Sequence, residues 1–397
     1  MRLGVATICP HIYHEGQWWS YEPYVLEMNV WLELFDQLII VAPHDQGPPP
    51  ESWVPYRDSS SIKVIPFRRD RGRGLLQDPA SPGEIPRMLY AVIKAALTSD
   101  AFHVRAPGNI ALIASLLVPL FQKRLVAKFA GQWIGAPGEA RTVRWQRAIL
   151  KSNWWRGPVT VYGDWPNQPP QIVPFFTSVL NQQQMARAQA SAAARKAGGW
   201  ANRNLRLLYV GRLSASKNVM VILEALAQLK PSVTIECDIV GDGPERAALE
   251  QFTDEHGLRE QVRFSGNVSF DQVLEFYEQA DALALVSASE GWGKAITEAM
   301  AFGLVCIGSD RGVIPWLLGE ERGVVVPPND ATALGLALRR IATNPAEHFK
   351  MGQQAAEWSQ RFSLEGLGNA LRELLSKHWR LPEFNRAELD PRPDKMK

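Results

Sequence analysis

At 397 residues the chain is too long for one ordinary hydrophobic core, so two domains of about 180 residues each are expected. Its 46% hydrophobic and 21% charged residues are those of a globular protein, and a formal net charge of +2 argues against a dedicated nucleic-acid binder. Residues 1–180 carry 18 basic and 14 acidic side chains against 25 and 27 in the remainder, which leaves room for an anionic or membrane-surface partner on the first half alone. Cys9, Cys237 and Cys306 have no metal-like spacing and fall in or beside predicted strands, so they read as buried reduced thiols. The start, MRLGVATICP, has one basic residue and too short an apolar run for a signal peptide. No run reaches the roughly 18 apolar residues of a membrane span, so a cytoplasmic protein is expected, touching at most the inner face of a membrane.

Residues 3–8 form a short apolar run, followed by an aromatic loop at 11–19 in which His14 and Gly16 would lie near any ligand at the sheet's carboxyl edge. Pro23 opens a helix with Tyr24, Met28, Trp31, Leu32 and Phe35 on one face, and residues 38–42 are a buried strand. That succession is a parallel strand, helix, strand unit. Residues 48–50 and the basic stretch 68–74 are loops, the second either holding an anionic acceptor or simply solvated. Helices are expected at 85–97 and 109–120, and strands at 101–105, 125–129, 159–162 and 171–173. Between residues 123 and 156 stand eight basic residues and one acid, Glu139, with Trp133, Trp145, Trp154 and Trp155 interleaved. Arg141, Arg144, Arg147 and Lys151 fall within about 120° on a helix. Such a stretch suits either the headgroup layer of an anionic membrane or a helix packed through its tryptophans with a wet basic face.

Residues 1–180 read as the first domain and 181–204 as an alanine-rich helical connector. A second domain, 205–362, alternates strands (205–210, 234–240, 262–265, 282–286, 305–308, 323–326) with helices (217–229, 244–256, 271–279, 294–302, 313–318, 331–341). The repeat is that of a doubly wound α/β domain. A last amphipathic helix fills 363–379, and a disordered tail is expected from 381.

The densest chemistry lies in 280–301, ADALALVSASEGWGKAITEAMA, which reads as strand, tight loop, helix. In an open parallel sheet ligands bind there, at the carboxyl end of a strand and the positive amino end of the next helix. Gly291 and Gly293 let the backbone approach a ligand closely. Glu290 is placed in the loop and Glu298 two turns into the helix, both facing one pocket. Carboxylates so spaced suit sugar hydroxyls; the alternative is a helix cap and a solvated face residue. Gly211, Arg212 and Lys217 put two cations at the mouth of a helix, which fits a diphosphate. Gly241-Asp242-Gly243 and Gly266-Asn267 form two further strand-end turns. Neither GxGxxG nor GxxxxGK[ST] occurs, so a dinucleotide fingerprint and a P-loop are both excluded. No acidic pair suited to Mg²⁺ stands out in a strand-end loop, and no metal is expected.

The ordered set YVGRL with Lys217, DIVGDGPER, VRFSGNV, SEGWGKAITEAMAFG and GVVVPPND resembles the retaining GT-B glycosyltransferases of group 1, family GT4. The resemblance covers roughly 205–341 strongly and the first domain weakly. It implies a GT-B architecture, two Rossmann-like domains facing a cleft, with the helix at 363–380 crossing back to the first domain. It also implies a nucleotide-sugar donor held mainly by the second domain and a hydroxyl acceptor (glycan, lipid-linked saccharide or small molecule) by the first. Carried over by position, Arg212 and Lys217 would bind the diphosphate, Glu290 the hydroxyls of the sugar and Glu298 the ribose. Backbone amides of Trp292, Gly293, Lys294 and Ala295 would meet sugar and phosphate, and Gly266, Asn267 and Val268 would border the base. Retention in this family is drawn as front-side attack without a protein nucleophile, cofactor or metal. The family's double glycine in the first loop is reduced here to Gly16, and its frequent first-domain histidine is replaced by Phe129-Ala130-Gly131-Gln132-Trp133. Rival readings are a catalytically degenerate GT-B subunit and a GT-B epimerase or phosphorylase.

Overall fold

The computed structural model describes residues 1–67, 84–135, 138–196, 199–230 and 232–379; the basic stretch from Arg68 to Gly74 and the expected tail from 381 lie outside them. The first domain opens with strand β1 (Arg2–Ala6), a hairpin of β2 (Ile12–His14) and β3 (Gln17–Tyr21), helix α1 (Glu22–Leu32), then β4 (Gln37–Pro43), β5 (Trp53–Pro55) and β6 (Ile62–Phe67). It continues through α2 (Glu84–Thr98), β7 (Ala101–Ala106), α3 (Asn109–Leu117), β8 (Leu125–Phe129), α4 (Arg141–Lys151), β9 (Val159–Tyr162) and β10 (Ile172–Phe175). Seven of these strands make one parallel sheet in the order β10-β9-β8-β7-β1-β4-β6. Helices cover both faces, so the central strands read as unbroken apolar runs; in QLIIVAP of β4 every residue after the first is buried.

Helix α5 (Gln182–Ala194), closed at its start by an Asn181–Gln184 capping box, leads to the second domain. There follow β11 (Leu205–Val210), α6 (Val219–Leu229), β12 (Ile235–Val240), α7 (Arg246–Glu255), β13 (Val262–Gly266) and α8 (Phe270–Gln279). Next come β14 (Ala282–Leu285), α9 (Lys294–Ala301), β15 (Val305–Ser309), α10 (Ile314–Leu318), β16 (Gly323–Val326), α11 (Ala331–Thr343), α12 (Pro345–Ser359) and α13 (Leu364–Trp379). Six parallel strands form the second sheet, ordered β13-β12-β11-β14-β15-β16. Helix α13 returns to the first domain: Leu367, Leu371, Leu374 and Leu375 are buried with Tyr24, Met28 and Trp31 of α1, and the Trp379 indole donates to Leu125 O at 3.2 Å. Where the chain crosses back, Leu364 N–H donates to Leu180 O at 2.9 Å. Among the described residues no helix is long and apolar enough to cross a membrane.

Three local readings are corrected. The loop expected at 11–19 is the β2–β3 hairpin, extended by β5 into a three-stranded antiparallel sheet. Its two-residue turn is Glu15-Gly16, both at positive φ (50° and 79°), the backbone of a tight hairpin. Helix α12 has no counterpart among the expected elements: Pro345 in its first turn is an ordinary start signal, but the face it buries (His348, Gly352, Ala355, Ala356 and Ser359) is small or polar and shows no apolar stripe in the sequence. Finally, the basic stretch does not share one wet face. Trp133 and Trp155 are fully buried, Lys128 is buried against Glu27, and Arg147 is paired with Glu139.

Candidate active site between the domains

Each sheet has one place where its strand order reverses: between β1 and β7 in the first, between β11 and β14 in the second. Loops on the carboxyl side of such a pair diverge to opposite faces and leave a crevice. The crevice here is a cavity of about 500 Å³ lined from both domains.

From the second domain the loop after β11 brings Gly211, Arg212 and Lys217, and the loop after β14 brings Glu290 to Gly293. The two loops are tied by Ala288 N–H donating to Ser216 O at 2.9 Å and by the Asn218 amide donating to Val286 O at 3.1 Å. Lys217 Nζ lies 2.6 Å from Glu290 Oε2, which also accepts from Ser287 Oγ at 3.3 Å. Arg212 is exposed, and its guanidinium makes no hydrogen bond or ion pair among the described residues, while Tyr209 OH donates to its carbonyl at 3.0 Å. Gly293, at φ 70°, caps α9; a Cβ there would stand 2.7 Å from Ile314 Cδ1, so both backbone and space require glycine. Helix α9 then presents Lys294, Ala295 and, one turn in rather than two, Glu298 to the cavity.

Glu298 is buried and accepts from Tyr277 OH at 2.8 Å. Burial raises its carboxyl above the ordinary range, although the Tyr277 hydrogen bond and Lys294 oppose this. Burial likewise pulls the Lys294 ammonium down to about 8, against the attraction of Glu298. Trp292 is buried between Tyr162 of the first domain (ring centroids 5.5 Å apart) and Phe362 of the returning segment (5.5 Å). The site loop is therefore packed directly against the domain crossing.

The structure thus brings Arg212, Lys217, Glu290, Gly291, Trp292, Gly293, Lys294, Ala295 and Glu298 into one cavity. Gly266, Asn267 and Val268 do not line it; they precede Phe270, which does, and stand outside its rim. Gly16 does not line it either: it is the hairpin tip, five residues or roughly 16 Å along β3 from Tyr21. His14 flanks the same tip, 3.6 Å from Glu15. Tyr21, Glu22 and Pro23 occupy the position over the cavity that was expected of Gly16. Burial raises the Glu22 carboxyl, Asp271 adding to the effect and Lys294 opposing it.

Sequence reasoning missed Tyr21, Glu22, Arg105 and Tyr162, all first-domain residues of the cavity wall. A signal existed for Arg105: a charged residue near the end of a strand otherwise fully buried. Chemically, the site combines carboxylates suited to hydroxyls with cations and a helix amino end suited to phosphates.

The family model described as "Glycosyl transferases group 1" matches residues 191–358. An alpha-D-kanosaminyltransferase of Streptomyces kanamyceticus is 30% identical over 168 residues, 42% of this chain and 44% of that protein. A D-inositol 3-phosphate glycosyltransferase of Corynebacterium urealyticum is 30% identical over 192 residues, 46% of this chain and 45% of its own length. The chain spans less than half the length of each of these relatives. In fold it is similar to sucrose-phosphate synthase from Thermosynechococcus elongatus, with TM-score 0.68, 19% identity, and 96% and 99% of the two chains covered. It is also similar to HepE of Anabaena, solved with UDP and glucose, with TM-score 0.67, 16% identity, and 94% and 99% covered.

Proposed function

We propose, from the match of residues 191–358 to the group 1 glycosyltransferase model and from the GT-B fold, that this protein moves a sugar from a nucleoside-diphosphate sugar to a hydroxyl acceptor with retention at the anomeric carbon. The observation that carries the reading is the 2.6 Å Lys217–Glu290 pair in one cavity with the first residue of α9 and with Arg212, whose guanidinium has no partner among the described residues. A diphosphate engages both cations, and Glu290 turns to the hydroxyls of the transferred sugar. The UDP bound in HepE supports the same class of donor here. Glu298 then holds the ribose, amides from Trp292 to Ala295 meet sugar and phosphate, and Gly266 to Val268 border the base beyond the cavity rim.

The acceptor oxygen bonds to the anomeric carbon on the face from which the diphosphate departs, and its proton passes to the leaving phosphate oxygen. Arg212, Lys217 and the α9 amino end meet the charge that develops there, so the step needs neither a protein nucleophile nor a metal.

Thermal unfolding across UDP-, GDP- and ADP-sugars without added metal tests this. At 100 times its dissociation constant a ligand adds about 2.7 kcal/mol of stability. One sugar nucleotide should stabilise the parent and not Glu298→Ala, and slow hydrolysis should release sugar of unchanged anomeric configuration. No stabilisation by any of them overturns the donor site and favours a degenerate subunit.

A peripheral contact with anionic membrane belongs to the same reading. On the α3–α4 flank Leu116, Leu120, Phe121, Trp145 and Trp154 are exposed beside exposed Arg141 and Arg144. Trp154 is held there by its indole donating to Ser115 O at 3.1 Å. Apolar rings among cations fit a headgroup layer. Arg141→Gln with Arg144→Gln should weaken partitioning onto phosphatidylserine vesicles roughly thirtyfold, at about 1 kcal/mol per charge. Unchanged partitioning rejects the contact.

A further inference from the structure

Two charged groups on the first-domain wall, Glu22 and Arg105, have no role in the donor site described above, and Arg105 is the cation of the two. Arg105 is the penultimate residue of β7, beside the β1/β7 reversal, and so stands at the first domain's own switch point, facing the second domain's. Its Nη1 donates to Glu27 Oε1 at 2.8 Å, while Lys128 Nζ lies 2.9 Å from Glu27 Oε2. One carboxylate therefore serves two cations, and one positive charge is left over. Of the two, Arg105 reaches the cavity and Lys128 does not. Their outer faces rest on aromatic rings, Arg105 on Tyr24 and Lys128 on Tyr162, each at 5.3 Å. A ring quadrupole softens a charge without cancelling it.

From the opposite wall Lys294 enters the same cavity as the first residue of α9. Burial depresses its ammonium; Glu298 and Glu27 act against that, and Arg105 and Lys128 reinforce it. Like charges facing each other across a partly desolvated space repel strongly, and an anion between them relieves both.

We propose that Arg105 and Lys294, reaching in from opposite domains, form a binding point for a phosphate group. This rests on the glycosyltransferase reading and extends it, because it makes the first domain a ligand of the phosphate. Arg105 suits a phosphate because Glu27 holds the guanidinium fork in place and its remaining N–H groups can bind two phosphate oxygens at once. The phosphate comes either from the donor's diphosphate, which the two domains then grip together, or from a phosphorylated acceptor.

Calorimetry on the full chain with UDP, inorganic pyrophosphate and orthophosphate, comparing the parent with Arg105→Gln and Lys294→Gln, decides the matter. In Arg105→Gln the buried Glu27 keeps Lys128 as partner; Lys294→Gln, on the other domain, is an independent variant should the first be poorly folded. If the source is the donor, both variants bind UDP and pyrophosphate about ten- to a hundredfold more weakly, as loss of a charged hydrogen bond implies. If the source is the acceptor, UDP affinity holds, orthophosphate binds the UDP-saturated parent, and both variants lose that second binding. Unchanged affinities for all three in both variants overturn the proposal. A parent that binds no nucleoside diphosphate removes the function proposed above, and the pyrophosphate and orthophosphate arms still judge the Arg105–Lys294 site separately.

Discussion

Arg212→Ala is expected, on the proposed transfer, to lower turnover of the sugar nucleotide by about 10²- to 10³-fold, the usual effect of removing one pre-aimed donor from a developing negative charge. The size follows from how Arg212 stands in the fold. Its guanidinium makes no ion pair among the described residues, so its removal strands no buried partner and should leave thermal unfolding unchanged. Lys217→Ala behaves differently. It frees Glu290, whose partner it is at 2.6 Å, and places an uncompensated carboxylate beside the incoming diphosphate, so donor affinity should fall as well as rate. Single-turnover rates and donor binding for the two variants separate these effects. If Arg212→Ala turns over sugar nucleotide within a factor of a few of the parent, Arg212 does not face the leaving group.

The second large effect is on stability. Glu27 is buried between Arg105 and Lys128, and breaking a buried ion pair from one side costs about 3–5 kcal/mol, because the remaining charges keep their burial and lose their counter-charge. Glu27→Gln should therefore lower the unfolding free energy by that amount, measured with denaturant at pH 7. Its pH dependence has a definite sign. Burial alone would raise the Glu27 carboxyl, but Arg105 and Lys128 outweigh it and hold the group well below the ordinary carboxylate value of 4.5. A depressed carboxyl contributes stability that is present above its unfolded value and lost only as pH falls through the folded one, so the contribution is complete at neutral pH. Lys128 is depressed by burial from 10.5 to about 8, with Glu27 opposing. Between those values the folded state binds fewer protons than the unfolded, and stability rises with pH. In Glu27→Gln, Lys128 loses the neighbour that favours its charge. The gap between variant and parent should narrow as pH is raised from about 7 to 10, where Lys128 is neutral in both. A gap that widens over this range contradicts the assignment.

Much of the second domain is legible in the chain itself. Strands such as LRLLYV and helices such as VMVILEALAQL declare themselves by unbroken or periodic apolar residues, and the turns between them by glycine. Arg212, Lys217 and Glu290 meet in one cavity because each stands in a loop that follows a strand end, and in a parallel sheet those ends share one edge; Glu298 joins them from inside α9, the helix that the second of these loops opens. The first domain is less legible. Gly16, as the glycine of the first loop, points to the cleft in the sequence, yet that loop folds on itself as a hairpin and delivers Tyr21 and Glu22 instead.

What sequence alone determined was local: which segments are strands or helices, and which side chains stand at the loops that end them, because apolar periodicity and backbone preference act over a few residues. Only the tertiary structure decided that Glu27, Arg105 and Lys128 meet, 78 residues separating the first two, and that Trp133 and Arg147 turn inward while Trp145 stays on the surface. Those outcomes depend on strand order and on which helix face finds a neighbour, and burying a charge is tolerable only where a distant segment supplies the opposite one.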